Sequence, residues 1–177
     1  MSQPHPLRVY EYVVRPYAAV RDALRADAAG IFGRATRGAA HRAGELAASL
    51  HAMIGSLEVG TDVTIEVGAI EELPHGPLGH APMTRIALKW KAARAAALFP
   101  SMEAVLSLYA LSKDETQLDL DGAYQPPLGL IGSALDALAL GRLADASVHR
   151  FVSDVAAQLG SEIPAKSGSS PLEPSAA

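Results

Sequence analysis

Two histidines in a short proline- and glycine-rich segment are the first residues whose types and spacing suit a chemical role. His75 and His80 lie in the segment PHGPLGH, and neutral imidazoles are common ligands of transition metals. The sequence fixes no carboxylate or thiol beside them, and segments of this composition usually form exposed, mobile connections. The pattern therefore predicts a solvent-exposed hairpin tip, and neither a metal nor another cofactor is predicted.

Two further segments match ion-binding or phosphate-binding loops only in part. Asp119–Gly122, DLDG, lacks the additional oxygen ligands and the distant glutamate of a calcium loop. Its two aspartates are two positions apart, so they lie on the same, outward face of a strand, which predicts charges in contact with solvent. Gly129 and Gly132 lack the third glycine and the Lys-Ser/Thr pair of a phosphate-binding loop. Neither segment predicts a binding site.

Aromatic residues with a polar group are the best candidates for contacts with a ligand. Tyr10, Tyr12 and Tyr124 combine an apolar ring with a hydroxyl that needs a partner when it is buried. Trp90 is the only tryptophan and has the apolar parity of its strand, which fits both core packing and the lining of a cavity. Nearly every charged residue of the predicted strands alternates with the apolar ones and so lies on the opposite face. No Ser-His-Asp, Cys-His or paired-carboxylate arrangement can therefore be placed on the apolar face. No catalytic residue is predicted.

Length, charge and composition limit the classes of function. The 177 residues are 49% hydrophobic, enough for one domain with a buried core. The net charge of −4 without a large single-sign block argues against a nucleic-acid partner. The apolar run Leu128–Leu140 is too short for a membrane span and contains Asp136, so no stable membrane insertion is predicted. The start, MSQPHPLRV, lacks the pattern of a secretory signal, and a cytoplasmic location is expected.

Hydrophobic periodicity predicts an antiparallel sheet followed by one long helix. Alternation of apolar and polar residues predicts strands over 8–14, 45–54, 63–69, 85–92, 102–110 and 116–121. Helical spacing predicts a helix from Pro16 to about Ala26, a short one over Ile31–Arg37, and a long one over Pro127–Leu159. The last five strands read as a meander with one apolar face, and a helix after them supplies its cover.

Three segments carry a resemblance to a known family. They are LFPSM at 98–102, DGAYQPPLG at 121–129 and RLADASVHRFVSDVAAQL at 142–159. With the order of elements, they make the chain similar to the START/polyketide-cyclase (SRPBCC) superfamily, which includes the birch-pollen-allergen-like proteins. The resemblance implies an α+β helix-grip fold, a curved antiparallel sheet wrapped around a long C-terminal helix with short helices after the first strand. One domain would then cover residues 7–160, with a disordered tail over 161–177.

The resemblance also implies a function in the space between the sheet and the C-terminal helix. Proteins of this superfamily bind hydrophobic small molecules or lipids there, and a minority catalyse cyclisation or dehydration. The ligand-contacting residues expected here are Tyr10, Tyr12, Val63, Ile65, Val67, Ile86, Leu88, Trp90, Leu106, Leu108, Leu118, Tyr124, Leu128, Ile131, Leu135 and Leu138. Three hypotheses stay open: a carrier of a hydrophobic ligand, which the scarcity of inward charges favours, a cyclase-like or dehydratase-like enzyme, and a packed interaction module. The inward face of residues 8–14 and 102–112 and the existence of a homodimer also stay open.

Overall fold

Over the residues that the structure describes, the chain forms one antiparallel sheet and two helices. The computed structural model describes residues 4–54, 63–75, 79, 81–92, 101–125 and 134–165. In chain order the elements are β1 (His5–Val13), α1 (Tyr17–Ile54), β2 (Val63–Leu73), β3 (Met83–Ala92), β4 (Ser101–Ala110), β5 (Thr116–Gln125) and α2 (Ala134–Glu162). The α+β class is confirmed, and a sheet followed by a C-terminal helix is consistent with the predicted helix-grip fold.

The strand order is β1-β5-β4-β3-β2, and every neighbouring pair is antiparallel. Strands β2 to β5 form the predicted meander. The first strand lies beside the last one, with a register that runs from His5 opposite Tyr124 to Val13 opposite Thr116. Strands β1 and β2 are therefore the two edges of the sheet. Between Val67 and Ile70 the register of β2 shifts, which is the mark of a β-bulge.

The apolar core lies between the helices and one face of the sheet, which we call the inner face. On β3, β4 and β5 the even-numbered residues are buried there, whereas on β1 the odd-numbered ones are. Val9, Leu106 and Leu120, from three neighbouring strands, have at most 1% of their surface exposed. Helix α1 packs against α2, and the two helices also contact the opposite edge strands β2 and β1, respectively. The one-sided burial agrees with the alternation in the sequence.

The segment Glu45–Ile54 is helical, so its prediction as a strand is wrong, and the sheet has five strands instead of six. Leu46, Leu50 and Ile54 are spaced by four residues, which is also the spacing of one helix face. The intervening residues include several alanines, which have the highest helix propensity. Period two and period four coincide at these positions, and local propensity therefore favours the helix.

Helix α1 has two helical parts separated at Asp27, so the two helices predicted after β1 are present, but the second extends to Ile54 instead of Arg37. Asp27 has non-helical backbone angles of φ −147° and ψ 48°. Its carboxylate accepts a hydrogen bond of 3.0 Å from the backbone N–H of Gly30, which is the geometry of an N-cap for the second part of the helix. The first part ends where the sequence predicted, near Ala26. The glycines that follow do not interrupt the second part.

The C-terminal helix extends beyond its predicted end. It continues to Glu162 instead of Leu159, and Ile163 just after it is buried against the core. The packed part of the chain therefore reaches at least three residues past the boundary expected at residue 160. The predicted start at Pro127 and the rest of the predicted tail lie outside the described residues.

Candidate functional site

One end of the inner face carries a row of large side chains, which we call the aromatic end. Trp90 on β3, Met102 on β4 and Tyr124 on β5 are direct neighbours in the strand register. Each is buried, with 6–8% of its surface exposed. Ile65 of β2 continues the row beyond Trp90, and His5 of β1 continues it beyond Tyr124. The row therefore crosses all five strands.

Both helices contribute a phenylalanine to this end of the core. The ring of Phe151, from α2, meets Trp90 edge-on, with 5.0 Å between ring centroids and an interplanar angle of 86°. The centroid of the Phe32 ring, from α1, lies 6.0 Å from the centroid of the Phe151 ring. Edge-to-face aromatic pairs add about 0.5–1.5 kcal/mol to the free energy gained by burial. The three rings connect the sheet with both helices.

Tyr124 brings a hydroxyl into this apolar environment. Its ring stacks on the imidazole of His5, with centroids 5.2 Å apart and an interplanar angle of 18°. Burial, and next the negative charge of Asp145 on α2, raise the pKa of Tyr124 above its ordinary value. The hydroxyl therefore remains protonated at neutral pH, able both to donate and to accept a hydrogen bond. No hydrogen bond among the described side chains involves it.

Small residues lie beside the aromatic row toward the middle of the sheet. Gly122 on β5 and Ala104 on β4 are register partners. A Cβ atom at Gly122 would lie 2.5 Å from the Cβ of Ala104 and 2.7 Å from the carbonyl oxygen of Glu103. Only glycine permits so close an approach of the two strands, and such positions are where sheets bend. The small pair also leaves Tyr124 and Met102 without bulky neighbours on that side of the inner face.

The opposite end of the sheet, which we call the anchored end, is held by polar contacts. The guanidinium of Arg15 donates hydrogen bonds to the backbone carbonyls of Ile163 and Gly160 at the C-terminus of α2. The hydroxyls of Tyr17 and Thr84 share a buried hydrogen bond of 2.7 Å, which joins the start of α1 to β3. These groups satisfy one another, so this end has no spare polar group for a ligand among its described contacts.

One buried hydroxyl lacks a partner within the described part of the chain. Thr36 on α1 has 4% of its surface exposed, and its Oγ1 makes no hydrogen bond there. It follows Phe32 by one helical turn and so lies on the same face of α1. An unpaired buried hydroxyl costs about 1–3 kcal/mol. A polar ligand atom or a water molecule that reached it would remove that cost.

The inner face brings together many of the residues expected to contact a ligand. Those buried on it are Ile86, Leu88, Trp90, Leu106, Leu108, Leu118 and Tyr124. Ile65 and Val67 on the edge strand β2 are half-buried against the same core. The strand registers place all nine on one face, which also answers the question left open for 102–112, where the even-numbered residues face inward.

Tyr10 and Tyr12 lie on the outer face of the sheet, so their prediction as ligand contacts within the core is wrong. Their side chains are 57% and 48% exposed, whereas Val9 and Val13 on the same strand are buried. The valines are smaller than the tyrosines and have no polar atom, so they fill the space beneath the helices without needing a hydrogen-bond partner. On β1 the odd-numbered residues therefore face inward.

Asp119 also differs from its expected environment, although it does lie on the outer face. Its carboxylate is nearly buried and accepts two hydrogen bonds from the guanidinium of Arg8, of 3.0 and 2.6 Å. The same pairing raises the pKa of Arg8. Burial, and next the charge of Asp119, raise the pKa of the neighbouring Tyr109. Asp119 is therefore a paired charge within a cluster and not a solvated one.

Several predicted residues cannot be compared with the structure. Leu128, Ile131 and His80 lie outside the described residues. Val63 is placed only as part of β2, and Leu135 and Leu138 only as part of α2, since their side chains are outside what the structure describes. His75 is exposed, as expected of a hairpin connection. Within the described ranges, no three His, Asp or Glu side chains are grouped closely enough to hold a metal ion.

Phe32, Thr36 and His5 belong to the site but were not identified from the sequence. Phe32 and Thr36 are spaced by four residues and continue the buried positions Ala28, Ala35 and Ala39, a helical pattern that the neighbouring glycines obscure. His5 faces Tyr124 only because β1 pairs with β5. That pairing joins residues more than one hundred positions apart, and no local sequence signal reports it.

The comparisons with known proteins give structural similarity alone. An aromatase/cyclase from Streptomyces sp. R1128 is 13% identical, with a TM-score of 0.46 over 92% of this chain and 98% of that one. A conserved protein from Geobacillus kaustophilus is 13% identical, with a TM-score of 0.48 over 89% and 97%. A protein from Thermus thermophilus is 12% identical, with a TM-score of 0.42 over 89% and 99%. Similarity this distant carries no function to this chain.

Two other findings complete the comparisons. No protein-family model matches the chain, and no curated protein matches it. Neither helix, over the residues that are described, combines the length and the apolar character needed to cross a membrane. The function of this chain is therefore inferred from its own residues.

Proposed function

We propose that this protein binds a hydrophobic small molecule or a lipid between the inner face of the sheet and the helices, at the aromatic end. The observation that carries the proposal is the row of Trp90, Met102 and Tyr124, since it joins a large apolar surface to one hydroxyl that has no protein partner among the described side chains. Ligand sites commonly have this composition, mainly apolar with a few placed polar groups.

The two kinds of residue have different roles in the proposed site. Apolar surface of the ligand would be removed from water against Trp90, Met102 and Phe151, which contributes about 25 cal/mol for each Å². That term is non-directional and selects for size and shape. The Tyr124 hydroxyl adds a directional hydrogen bond, so a ligand with one polar group next to an apolar body fits better than a pure hydrocarbon.

The chemistry of the inner face favours binding over catalysis. The buried polar residues described on the helix side of the sheet are threonines and tyrosines, and the one buried carboxylate, Asp119, is on the outer face and paired with Arg8. General acid–base catalysis at neutral pH needs a group with a pKa near 7 in contact with the substrate. Tyr124 has a pKa shifted away from that range. The carrier hypothesis is therefore the one we retain.

The proposal is tested with the fluorescence of Trp90, which is the only tryptophan in the chain. Titration with the neutral apolar probe N-phenyl-1-naphthylamine should give saturable binding and a matching loss of Trp90 emission, because energy transfer requires the probe to lie close to the indole. Native mass spectrometry of gently purified protein should also show a non-covalent adduct. No saturable uptake and no adduct would overturn the proposal and favour a packed module without a ligand.

A matched pair of variants locates the site. Met102→Asp places a charge in the aromatic row and should abolish binding of the probe. Tyr12→Ala removes an aromatic ring from the outer face, outside the proposed site, and should leave binding unchanged. If the probe binds without quenching Trp90, or if Tyr12→Ala abolishes binding, the ligand binds elsewhere on the molecule.

A further inference from the structure

The two edge strands of the sheet differ in how they are protected from pairing with another chain. Strand β2 is interrupted by its bulge between Val67 and Ile70, and it carries Glu66, Glu71 and Glu72. Bulges and charges are the usual devices that keep a sheet edge from adding a further strand. A helix contacts each edge strand, α1 on β2 and α2 on β1, and on the β2 side Arg25 of α1 also pairs with Glu72.

Strand β1 has none of the interruptions of β2. Its nine residues follow one unbroken register against β5, and no described strand pairs with its other side. The backbone N–H and C=O groups on that side are therefore not paired with any described strand, which is the condition under which an edge can add a further strand. The exposed large side chains of β1 include Tyr10, Tyr12 and Arg8, and the charge of Arg8 is paired with Asp119. Pro6 removes one donor, near the start of the strand.

The outer face of β1 also carries a cation, Arg8, on which an aromatic ring could stack. The guanidinium of Arg8 is held by Asp119 through two hydrogen bonds, yet the Arg8 side chain is 67% exposed. Tyr10 and Tyr12 lie next to it, edge-to-face, with ring centroids 5.8 Å apart. An arginine fixed in this way presents a flat surface on which an aromatic ring can stack.

We propose that β1 is a self-association edge, at which two copies of this chain pair their β1 strands antiparallel around a two-fold axis and form a continuous ten-stranded sheet from the five strands of each. The two-fold axis is perpendicular to the sheet, so residues that face each other across the new seam have the same parity. The helices of both copies then lie on the same side. This interaction is separate from ligand binding on the inner face.

Charge and side-chain complementarity select among the registers. The residue at the two-fold axis faces its own copy in the partner subunit. An axis at Arg8 would therefore place two guanidinium groups opposite each other, and an axis at Glu11 would place two carboxylates opposite each other. Both registers are unfavourable. An axis at Val9 places Arg8 opposite Tyr10 of the partner subunit, and an axis at Tyr10 places it opposite Tyr12 of the partner subunit. In both favourable registers a cation faces an aromatic ring twice, once on each side of the axis. A second copy of the chain therefore complements this edge.

Sedimentation equilibrium of the full chain tests the proposal directly. The molecular mass should rise from monomer to dimer with concentration, with a dissociation constant of about 1–100 μM, as expected for a small interface. The double variant Tyr10→Lys/Tyr12→Lys should weaken dimerisation about tenfold or more, because each substitution acts on both sides of the axis. Both tyrosines are exposed, so circular dichroism should show an unchanged fold.

A substitution at the other edge provides the control. Glu71→Lys changes the charge by the same two units at an exposed position on the outer face of β2, opposite Arg85, and should leave the dimer unchanged. Amide hydrogen exchange of β1 should slow with increasing concentration in the wild-type protein and not in the double variant. Loss of dimerisation in Glu71→Lys, or a monomer at all concentrations up to about 1 mM with exchange of β1 independent of concentration, would overturn the proposal. Probe binding by the double variant should be unchanged, which separates this test from that of ligand binding.

Discussion

Buried apolar side chains lie at both ends of the inner face, but the two ends differ in their polar groups. At the anchored end, the hydroxyls of Tyr17 and Thr84 bond to each other, and Arg15 binds two carbonyls of α2. At the aromatic end, Tyr124 is as deeply buried as Tyr17, yet its hydroxyl has no bond among the described side chains. Among the described residues, the buried side-chain atom that lacks a partner is Thr36 Oγ1 on α1, and such a group costs stability unless something else supplies a partner.

The comparison separates structural stabilisation from the capacity to bind. Paired polar groups fix the helices on the sheet and specify one arrangement of the elements. The Tyr124 hydroxyl beside Trp90 and Met102 bonds to no described side chain, so a hydrogen bond from a ligand or a water molecule would add an interaction that the described fold does not supply. The predictions below test this difference with substitutions at each end, beginning with the largest expected effect.

Removal of buried apolar atoms should cost more at the anchored end. Leu108 is fully buried there between Thr84 and Leu118, so Leu108→Ala should leave an unfilled void and cost about 4 kcal/mol. Met102→Ala at the aromatic end should cost about 2 kcal/mol and alter the affinity for probes of different size. Denaturant unfolding and probe titration measure the two effects. Equal costs, with unchanged probe affinity in Met102→Ala, would contradict the difference between the ends.

Arg15 should stabilise the packing of α2 through its C-terminal carbonyls. Arg15→Ala removes two charge-assisted hydrogen bonds to Ile163 and Gly160 and should reduce the free energy of unfolding by about 2–3 kcal/mol. Arg34 also contacts α2, but its bonds to Gln158 and Glu162 are exposed. Arg34→Ala should therefore cost less than about 0.5 kcal/mol. Hydrogen exchange in the last turn of α2 should be faster only in Arg15→Ala.

The two buried tyrosines should respond in opposite ways to loss of the hydroxyl. Tyr17→Phe leaves Thr84 Oγ1 buried without its partner and should cost about 1–2 kcal/mol, with no effect on probe affinity. Tyr124→Phe should change stability by less than about 0.5 kcal/mol. It should weaken binding of 1-naphthol, which can hydrogen-bond, by several-fold, while binding of naphthalene stays the same. A stability loss in Tyr124→Phe as large as that in Tyr17→Phe would indicate a structural role for both hydroxyls.

The smallest expected effect is the dependence of stability on alkaline pH. The pKa of Tyr124 is raised in the folded protein, so the native state holds this proton more tightly than the unfolded state. The corresponding stability is fully present below the ordinary tyrosine pKa of about 10 and is lost as the pH rises through the folded value. Tyr124→Phe should therefore lose less stability than the wild-type protein between about pH 9 and pH 11. Parallel curves for the two proteins would show that Tyr124 titrates normally.

The sequence predicted the sheet well wherever its two strand faces differ clearly in polarity. On β3, Ile86, Leu88 and Trp90 alternate with charged or small residues, and the structure buries all three. The prediction failed for β1, where Val9 and Val13 alternate with Tyr10 and Tyr12, because both faces contain apolar groups. The sequence of that strand alone supports either orientation.

Short-range sequence patterns were also ambiguous in the alanine-rich segment Glu45–Ile54. Its leucines satisfy the strand and helix periods equally, and the packing of α1 against α2 and β2 is a tertiary property. The same limit applies to the site. Trp90 and Tyr124 were identified as candidates because their residue types suit a ligand, whereas Phe32 and His5 join them only through helix packing and strand pairing.

By itself the sequence determined the α+β class, the inward residues of β3 and β5 and the scarcity of inward charges, because each of these follows from local periodicity and residue type. Only the tertiary structure decided which faces of β1 and β4 are buried, that Glu45–Ile54 is helical, and that Arg15 binds the end of α2. These features depend on contacts between residues far apart in the chain. Their free energy comes from burial and pairing that no single segment contains.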